Sequence, residues 1–267
     1  MTSQYEVRQV TPRVAHLLAP NPSAWTLDGT NTWIVGSPDS QERTVIDPGP
    51  VDDAHLQRII DALGGRNLTQ IWLTHTPSTQ TAAAAVLAAR TGATIYTARP
   101  REGQTRVADG ELHVLAGVPM RVHAIPGHTV DSLGFELEED GIVFTGDTLL
   151  GKGSSMVGAG LMAEMLSTLA RLQELAEAGS GRGFPGHGDI LEDLGAAAAS
   201  RLSARARRIA EVEAMAQAGA SGDEIAAALY AHVTDAELQR AARQTVESIL
   251  DYLNGREQGA TIGAPGR

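Results

Sequence analysis

"LTHTPSTQT", residues 73–81, decides how this chain is read. The apolar run Ile71-Trp72-Leu73 delivers the backbone to a loop at His75, and the alanine-rich "TAAAAVLAARTG", 81–92, follows at once with a helix composition and a terminal glycine. A strand that hands a histidine to a polar loop places an imidazole at a sheet edge. The rest of this loop is Thr76, Pro77, Ser78, Thr79 and Gln80, with no second imidazole and no carboxylate.

Three later segments repeat the arrangement. "AIPGHT" (124–129), "IVFTGDT" (142–148) and "GFPGHGD" (183–189) each follow an apolar strand-like run and present His128, Asp147 and His187 beside glycine. One histidine in a Gly/Pro loop is ordinarily a hydrogen-bonded residue of no chemical consequence. Four ligand-type side chains at four strand ends are different, because the strands of a sheet share an edge and their ends converge. Imidazole and carboxylate together suit zinc, manganese or iron. Glycine allows sharp turns and close backbone approach. Asp47, in "VIDPGP", is placed to hold a ligand imidazole by its other ring nitrogen.

Around these loops, "GTNTWIVG" and "RTVIDPGP" read as adjacent strands. "DDAHLQRIIDALGG" carries Leu56, Ile59, Ile60 and Leu63 at helical spacing, and "LMAEMLSTLARLQELAEAG" is a second amphipathic helix. Strands with interspersed helices suggest two face-to-face sheets with helices outside. Beyond residue 195 the pattern is almost continuously helical. Ser221 and Thr234-Asp235 are expected N-caps, and Gly219 and Gly255 expected helix stops.

The ordered set "GTNTWIVG", "VIDPGP", "LTH", "IPGHT", "FTGDTLLG" and "FPGHG" resembles the metallo-β-lactamase fold superfamily of hydrolases. It looks closest to the branch with a C-terminal winged-helix-like module, related to β-lactamase-like endoribonucleases and glyoxalase II. The resemblance implies a four-layer αββα sandwich over residues 1–195, a winged-helix-like helical module over 196–256 and a flexible tail over 257–267. In that family the first loop reads H-x-H-x-D-H and helps to hold two metal ions. His75, His128, Asp147 and His187 match ligand positions, whereas Pro77, Thr79 and Gln80 stand where a histidine, the water-orienting aspartate and another histidine belong. A two-metal site is thus not expected. His75, His128 and Asp147 are left for a single zinc or iron ion, with His187 as a base or substrate contact; a metal-free cleft is the other reading.

Composition narrows the partners. With 42% hydrophobic residues in a chain of 267, a large core is available; a net charge of −11 argues against nucleic acid and anionic membranes. The absence of cysteine excludes disulfides, thiolate metal sites and a cysteine nucleophile. No secretory signal or ~20-residue apolar span is visible, so a cytoplasmic setting is expected. Arg201, Arg205 and Arg208 share one helical face. That face is read as solvated or paired with Glu211 and Glu213, with RNA contact as the sharper alternative. The resemblance also implies that the module covers one edge of the cleft, as a lid or homodimer surface. Lys152, in the glycine-rich "GKGSSMVGAG", is placed to meet an anionic substrate group, and Thr79 and Gln80 to line the cleft. The expected function is a divergent hydrolase-like activity on a small ester, thioester or lactone. The alternatives are a non-catalytic protein that binds a ligand or partner, and an RNA-interacting protein.

Overall fold

Two sheets face each other in the computed structural model, which describes residues 4–76 and 82–262. The first is seven-stranded and runs in chain order: β1 (Arg8–Thr11), β2 (Val14–Leu18), β3 (Asn31–Val35), β4 (Glu42–Ile46), β5 (Asn67–Trp72), β6 (Thr94–Thr97) and β7 (Thr105–Arg106). It is antiparallel up to β4 and parallel from β4 onward. The second is five-stranded, built from β8 (Leu112–Leu115), β9 (Val118–Ala124), β10 (Leu133–Leu137), β11 (Ile142–Gly146) and β12 (Arg182–Pro185), in the order β12-β11-β10-β9-β8. β9 and β11 are each antiparallel to β10, and β12 is parallel to β11. The C-terminal ends of β9, β11 and β12 therefore share one edge of this sheet. The parallel β4 and β5 likewise share an edge of the first.

The scarce aromatic residues are concentrated between the sheets. Trp33 stacks on Phe184 with centroids 4.7 Å apart and meets Phe144 edge-on at 5.8 Å. Trp72 stacks on Tyr96 at 4.5 Å and meets Phe135 edge-on at 5.4 Å. Large rings fill the inter-sheet layer, while Ala, Leu, Val and Ile serve the sheet–helix layers.

Helices α1 (Asp53–Ala62) and α2 (Ala83–Thr91) cover the first sheet through Leu56, Ile59 and Leu87. Asp52 caps α1 by accepting from the His55 N–H at 2.7 Å. α2 ends at Gly92, which takes the left-handed conformation at φ 76°. Helix α3 (Met162–Glu177) covers the second sheet, and Val143, Met165, Leu169 and Leu172 form one apolar cluster with residues of the C-terminal helices. These are α4 (Leu194–Gln217), α5 (Gly222–Leu229) and α6 (Ala236–Ile262). The order is helix, sheet, sheet, helix: the four-layer αββα sandwich that the motifs imply.

One terminal expectation is corrected. Gly255 does not stop a helix, because α6 continues through it to Ile262. A glycine inside a helix costs about 1 kcal/mol relative to alanine and ends it only where the backbone turns left-handed. Gly255 is not among the positive-φ glycines, and a Cβ there would meet nothing within 4 Å. Gly219 does act as a stop, with φ 89°. Among the described residues, the chain beyond α4's start holds three helices and no strand.

Replacing Gly255 by alanine is therefore expected to stabilise the chain, by up to about 1 kcal/mol. Urea unfolding checks the sign: destabilisation would restore the helix stop.

Candidate active site

The four chemistry-bearing side chains do meet. His75 lies three residues past β5, His128 in the turn after β9, Asp147 one residue past β11 and His187 two past β12. The Nε2 atoms of His75, His128 and His187 lie 3.9, 3.8 and 3.4 Å from a single oxygen, Asp147 Oδ2. The rings of His75 and His128 stand nearly perpendicular, at 88° with centroids 5.3 Å apart.

Backbone shape explains how Asp147 reaches this point. Gly146, at φ 49°, turns the chain out of β11, and a Cβ there would come within 2.6 Å of Thr74 Oγ1. Gly186 passes so close to Asp147 that a Cβ would lie 2.3 Å from its Oδ1. Asn31, at the start of β3, fixes the His187 loop: its side-chain amide donates to the carbonyls of Pro185 and Gly188, at 2.9 and 2.8 Å, and its backbone N–H to that of Gly186 at 2.8 Å. The "GTN" of the sequence is thus the clasp on the fourth loop.

Each imidazole is held from its far side by an oxygen. His187 Nδ1 donates to the Gly29 carbonyl at 2.9 Å, and His128 Nδ1 to that of Met156 at 3.2 Å. His75 Nδ1 lies 3.0 Å from Thr74 Oγ1, whose own hydrogen goes to Asp47 Oδ2 at 2.7 Å. A carbonyl only accepts, and a hydroxyl that has given its proton away accepts as well, so all three Nδ1 atoms carry hydrogen. In the neutral rings Nε2 is then a bare lone pair, and all three lone pairs face a carboxylate. Such an arrangement asks for a cation. Asp47 does not touch an imidazole, as the sequence suggested; it acts through Thr74, whose backbone N–H it also accepts at 3.0 Å.

A metal ion is one cation that fits. One ligand atom each from His75, His128 and Asp147 lies within 4.8 Å of the others. A tetrahedral zinc ion with bonds of about 2.1 Å wants ligand atoms about 3.4 Å apart, so the three groups would have to draw together on binding it. His187 Nε2 is buried and without a hydrogen-bond partner, despite its approach to Asp147. A proton is the other candidate cation. Burial alone would raise the Asp147 carboxyl, but the facing His187 and the charges of His75 and His128 outweigh it and hold Asp147 well below the usual carboxylate range. Burial would lower His187, but Asp147 raises it above its ordinary value. Burial prevails at His128, which is lowered.

These side chains line a cavity of about 570 Å³. Its walls come from the loop bearing Trp25 and Leu27, from Leu150 and Met156, and from Tyr230, Val233 and Leu238 of the C-terminal part. Trp25 Nε1 donates to Glu237 Oε2 at 2.8 Å, joining the N-terminal loop to α6. Lys152 is exposed and lines the same cavity. Thr79 and Gln80 lie outside the described residues, as does the rest of segment 77–81. Trp25, Tyr230 and the apolar wall escape a reading of the sequence, because no local pattern reports which distant loop closes over a sheet edge. The face of Arg201, Arg205 and Arg208 is only partly the solvated surface expected: Arg208 pairs with Glu211 at 3.1 Å, but Arg205 is buried and lines the cavity.

The comparisons agree with this fold. Residues 76–208 match the model of the metallo-beta-lactamase superfamily. An atrochrysone carboxyl ACP thioesterase of Pseudocercospora fijiensis is 31% identical over 93% of this chain and 77% of its own length. The chain belongs to the metallo-β-lactamase superfamily. A second atrochrysone carboxyl ACP thioesterase, from Cryptosporiopsis sp., is 35% identical over 78% of the chain; this chain spans 64% of that relative's length. A metallo-beta-lactamase family protein from Thermus thermophilus shares the fold at a TM-score of 0.78 and 21% identity, covering 94% of this chain and 96% of that one. Among the described residues no helix is long and apolar enough to cross a membrane.

Two outcomes follow. Asp47→Asn, by loosening Thr74 and the His75 tautomer, is expected to weaken cobalt(II) binding about 10- to 100-fold, read from the visible absorption of the bound ion; unchanged affinity would remove Asp47 from the site. The second concerns the metal-free chain. Asp147, held low, contributes stability above its ordinary value near 4 that is lost as pH falls through the lower folded value. His187, held high, contributes stability below its ordinary value near 6.5 that is lost as pH rises through the higher folded value. The stability gap between the native sequence and Asp147→Asn, measured in chelator, should be widest from about pH 4 to 6.5 and narrow toward alkaline pH. A gap flat across pH would contradict the proton-sharing cluster.

Proposed function

We propose that this chain hydrolyses a small-molecule acyl thioester at a site that holds one divalent ion, with His75, His128 and Asp147 as its protein ligands. The observation that carries the reading is the convergence of three bare Nε2 lone pairs on the Asp147 carboxylate at the floor of a largely apolar cavity. The relatives named as acyl-carrier thioesterases favour thioester over ester or lactone. A second ion is not part of this reading, because Pro77, Thr79 and Gln80 offer neither imidazole nor carboxylate.

A bound zinc ion would supply Lewis-acid polarisation of the thioester carbonyl and would acidify a water molecule. The rest falls to the chain. Water adds to the thioester carbon, the C–S bond breaks, and the products are a carboxylic acid and a thiol. His187, with Nδ1 fixed on the Gly29 carbonyl and its proton affinity raised by Asp147, is the group to accept the attacking water's proton and return it to the departing sulfur. Asp147 stays ionised and steadies the imidazolium thus formed. The apolar wall and Trp25 exclude bulk water from the acyl group. The C-terminal helices act here as a cavity wall.

Thiol release from a panel of aryl and alkyl acyl thioesters, followed with a thiol-reactive dye, tests the proposal. His128→Ala and Asp147→Asn should each lower kcat/KM about 100-fold or more, and zinc should restore the chelated native chain. Absence of thiol release across the panel, with one equivalent of zinc bound, would make the site a binding pocket without turnover.

A further inference from the structure

Arg205 lies on α4 with 8% of its surface exposed, inside a chain of net charge −11. Its guanidinium donates to the Ser155 carbonyl. The charged and titratable groups that face it are Arg201, Arg208 and the Tyr230 phenol. Among the described residues no carboxylate pairs with it. Arg208 is compensated, by Glu211 at 3.1 Å and by the Tyr230 ring, 4.7 Å from its guanidinium carbon. Arg205 has no such partner, and two like charges crowd it.

Burying a cation without a counterion costs more than one hydrogen bond to a carbonyl returns. A fold carries that cost where the missing anion arrives with a ligand. The guanidinium lines the same cavity as the imidazole cluster. Ser155 measures the separation. Its Oγ donates to the Asp147 carbonyl at 2.5 Å and lies 3.4 Å from His128 Nδ1, while its own carbonyl takes Arg205. The cation thus stands one residue's width from the imidazoles, and the apolar Met156 and Leu150 line the same cavity.

We infer that the cavity binds a largely apolar acyl group carrying an anionic oxygen, and that this oxygen sits on the Arg205 guanidinium a few bonds from the cleaved carbonyl. The inference takes the position of that carbonyl from the thioesterase reading; the anion seat itself does not depend on turnover. It also separates Arg205 from Lys152: the lysine is exposed at the cavity's rim, whereas Arg205 is desolvated and can discriminate charge.

Calorimetric titration of the full-length protein with 2-naphthoate and with 2-naphthamide tests the seat, using the native sequence, Arg205→Gln, Arg205→Met and the native sequence in chelator. Melting temperature is recorded for each. The native chain should prefer naphthoate over the neutral amide by about tenfold or more, and both variants should lose that preference by weakening naphthoate alone. Equal binding of the two probes by the native chain would overturn the inference without recourse to any variant. So would a preference that survives both substitutions, or one abolished by chelator alone, which would put the carboxylate on the metal. Thioester turnover measured on the same samples keeps the two readings apart: charge preference without turnover sinks the hydrolase and spares the seat, and turnover without preference does the reverse.

Discussion

One buried carboxylate organises this end of the molecule. Asp147 is 8% exposed, and moving an isolated carboxylate out of water costs more than a fold of marginal stability tolerates. It persists because three imidazoles surround one of its oxygens, each pinned from behind by an oxygen of the chain. The local sequence is arranged to allow this. Gly146 turns the chain left-handed out of β11, Gly186 leaves room for the carboxylate, and Asn31 ties the His187 loop to the opposite sheet. Altering any of these disturbs fold and site together, since the same hydrogen bonds serve both.

The two sheets contribute unequally. The second supplies His128, Asp147 and His187 at one edge. The first supplies only His75, through a relay in which Asp47 accepts from Thr74 and Thr74 accepts from the ring. Thr76 is tied across the sheets by its N–H to Asp131 Oδ2 at 2.9 Å, and the Leu133 N–H donates to the Thr74 carbonyl at 2.6 Å. His75 is therefore locked into register with the second sheet's loops. The imidazoles and Asp147 reach the cavity from the strand ends of the sandwich, and much of its apolar wall comes from the C-terminal part of the chain.

How much of this is legible in the sequence follows from what kind of signal each feature leaves. The sandwich and the four site residues are readable because a ligand at a strand end needs a local signature: an apolar run, a glycine or a short polar turn, then the polar residue. His75, His128, Asp147 and His187 all follow such runs, and the last three adjoin glycine. Arg205 leaves none. Arginines three and four apart on a helix look alike whether the face is wet or buried, and only the packing of α4 against the Ser155 loop separates Arg205 from Arg208. Trp25 and Glu237 are 212 positions apart, beyond any local pattern. The Asp47 relay is half legible: the sequence points to its carboxylate, but not to the intervening Thr74 hydroxyl.

On the proposed single-ion reading, the substitutions at 77, 79 and 80 change the work of the residues that remain. In the two-metal arrangement that the sequence resembles, the counterparts of Asp147 and His187 are both ligands to the second ion, and a ligand imidazole is not free to carry a proton. Here Thr79 and Gln80 stand at that ion's other ligand positions, and His187 Nε2 faces Asp147 at 3.4 Å. Its proton affinity is raised by the Asp147 carboxylate that faces it, against the opposing effect of burial. Loss of one ion thus turns a ligand into a candidate base and leaves a site suited to a leaving group that needs little acid assistance. A thiolate is such a group, since its pKa near 8.5 lies far below that of an alkoxide or amide nitrogen. The depleted loop and the proposed preference for thioesters are then two sides of the same chemistry.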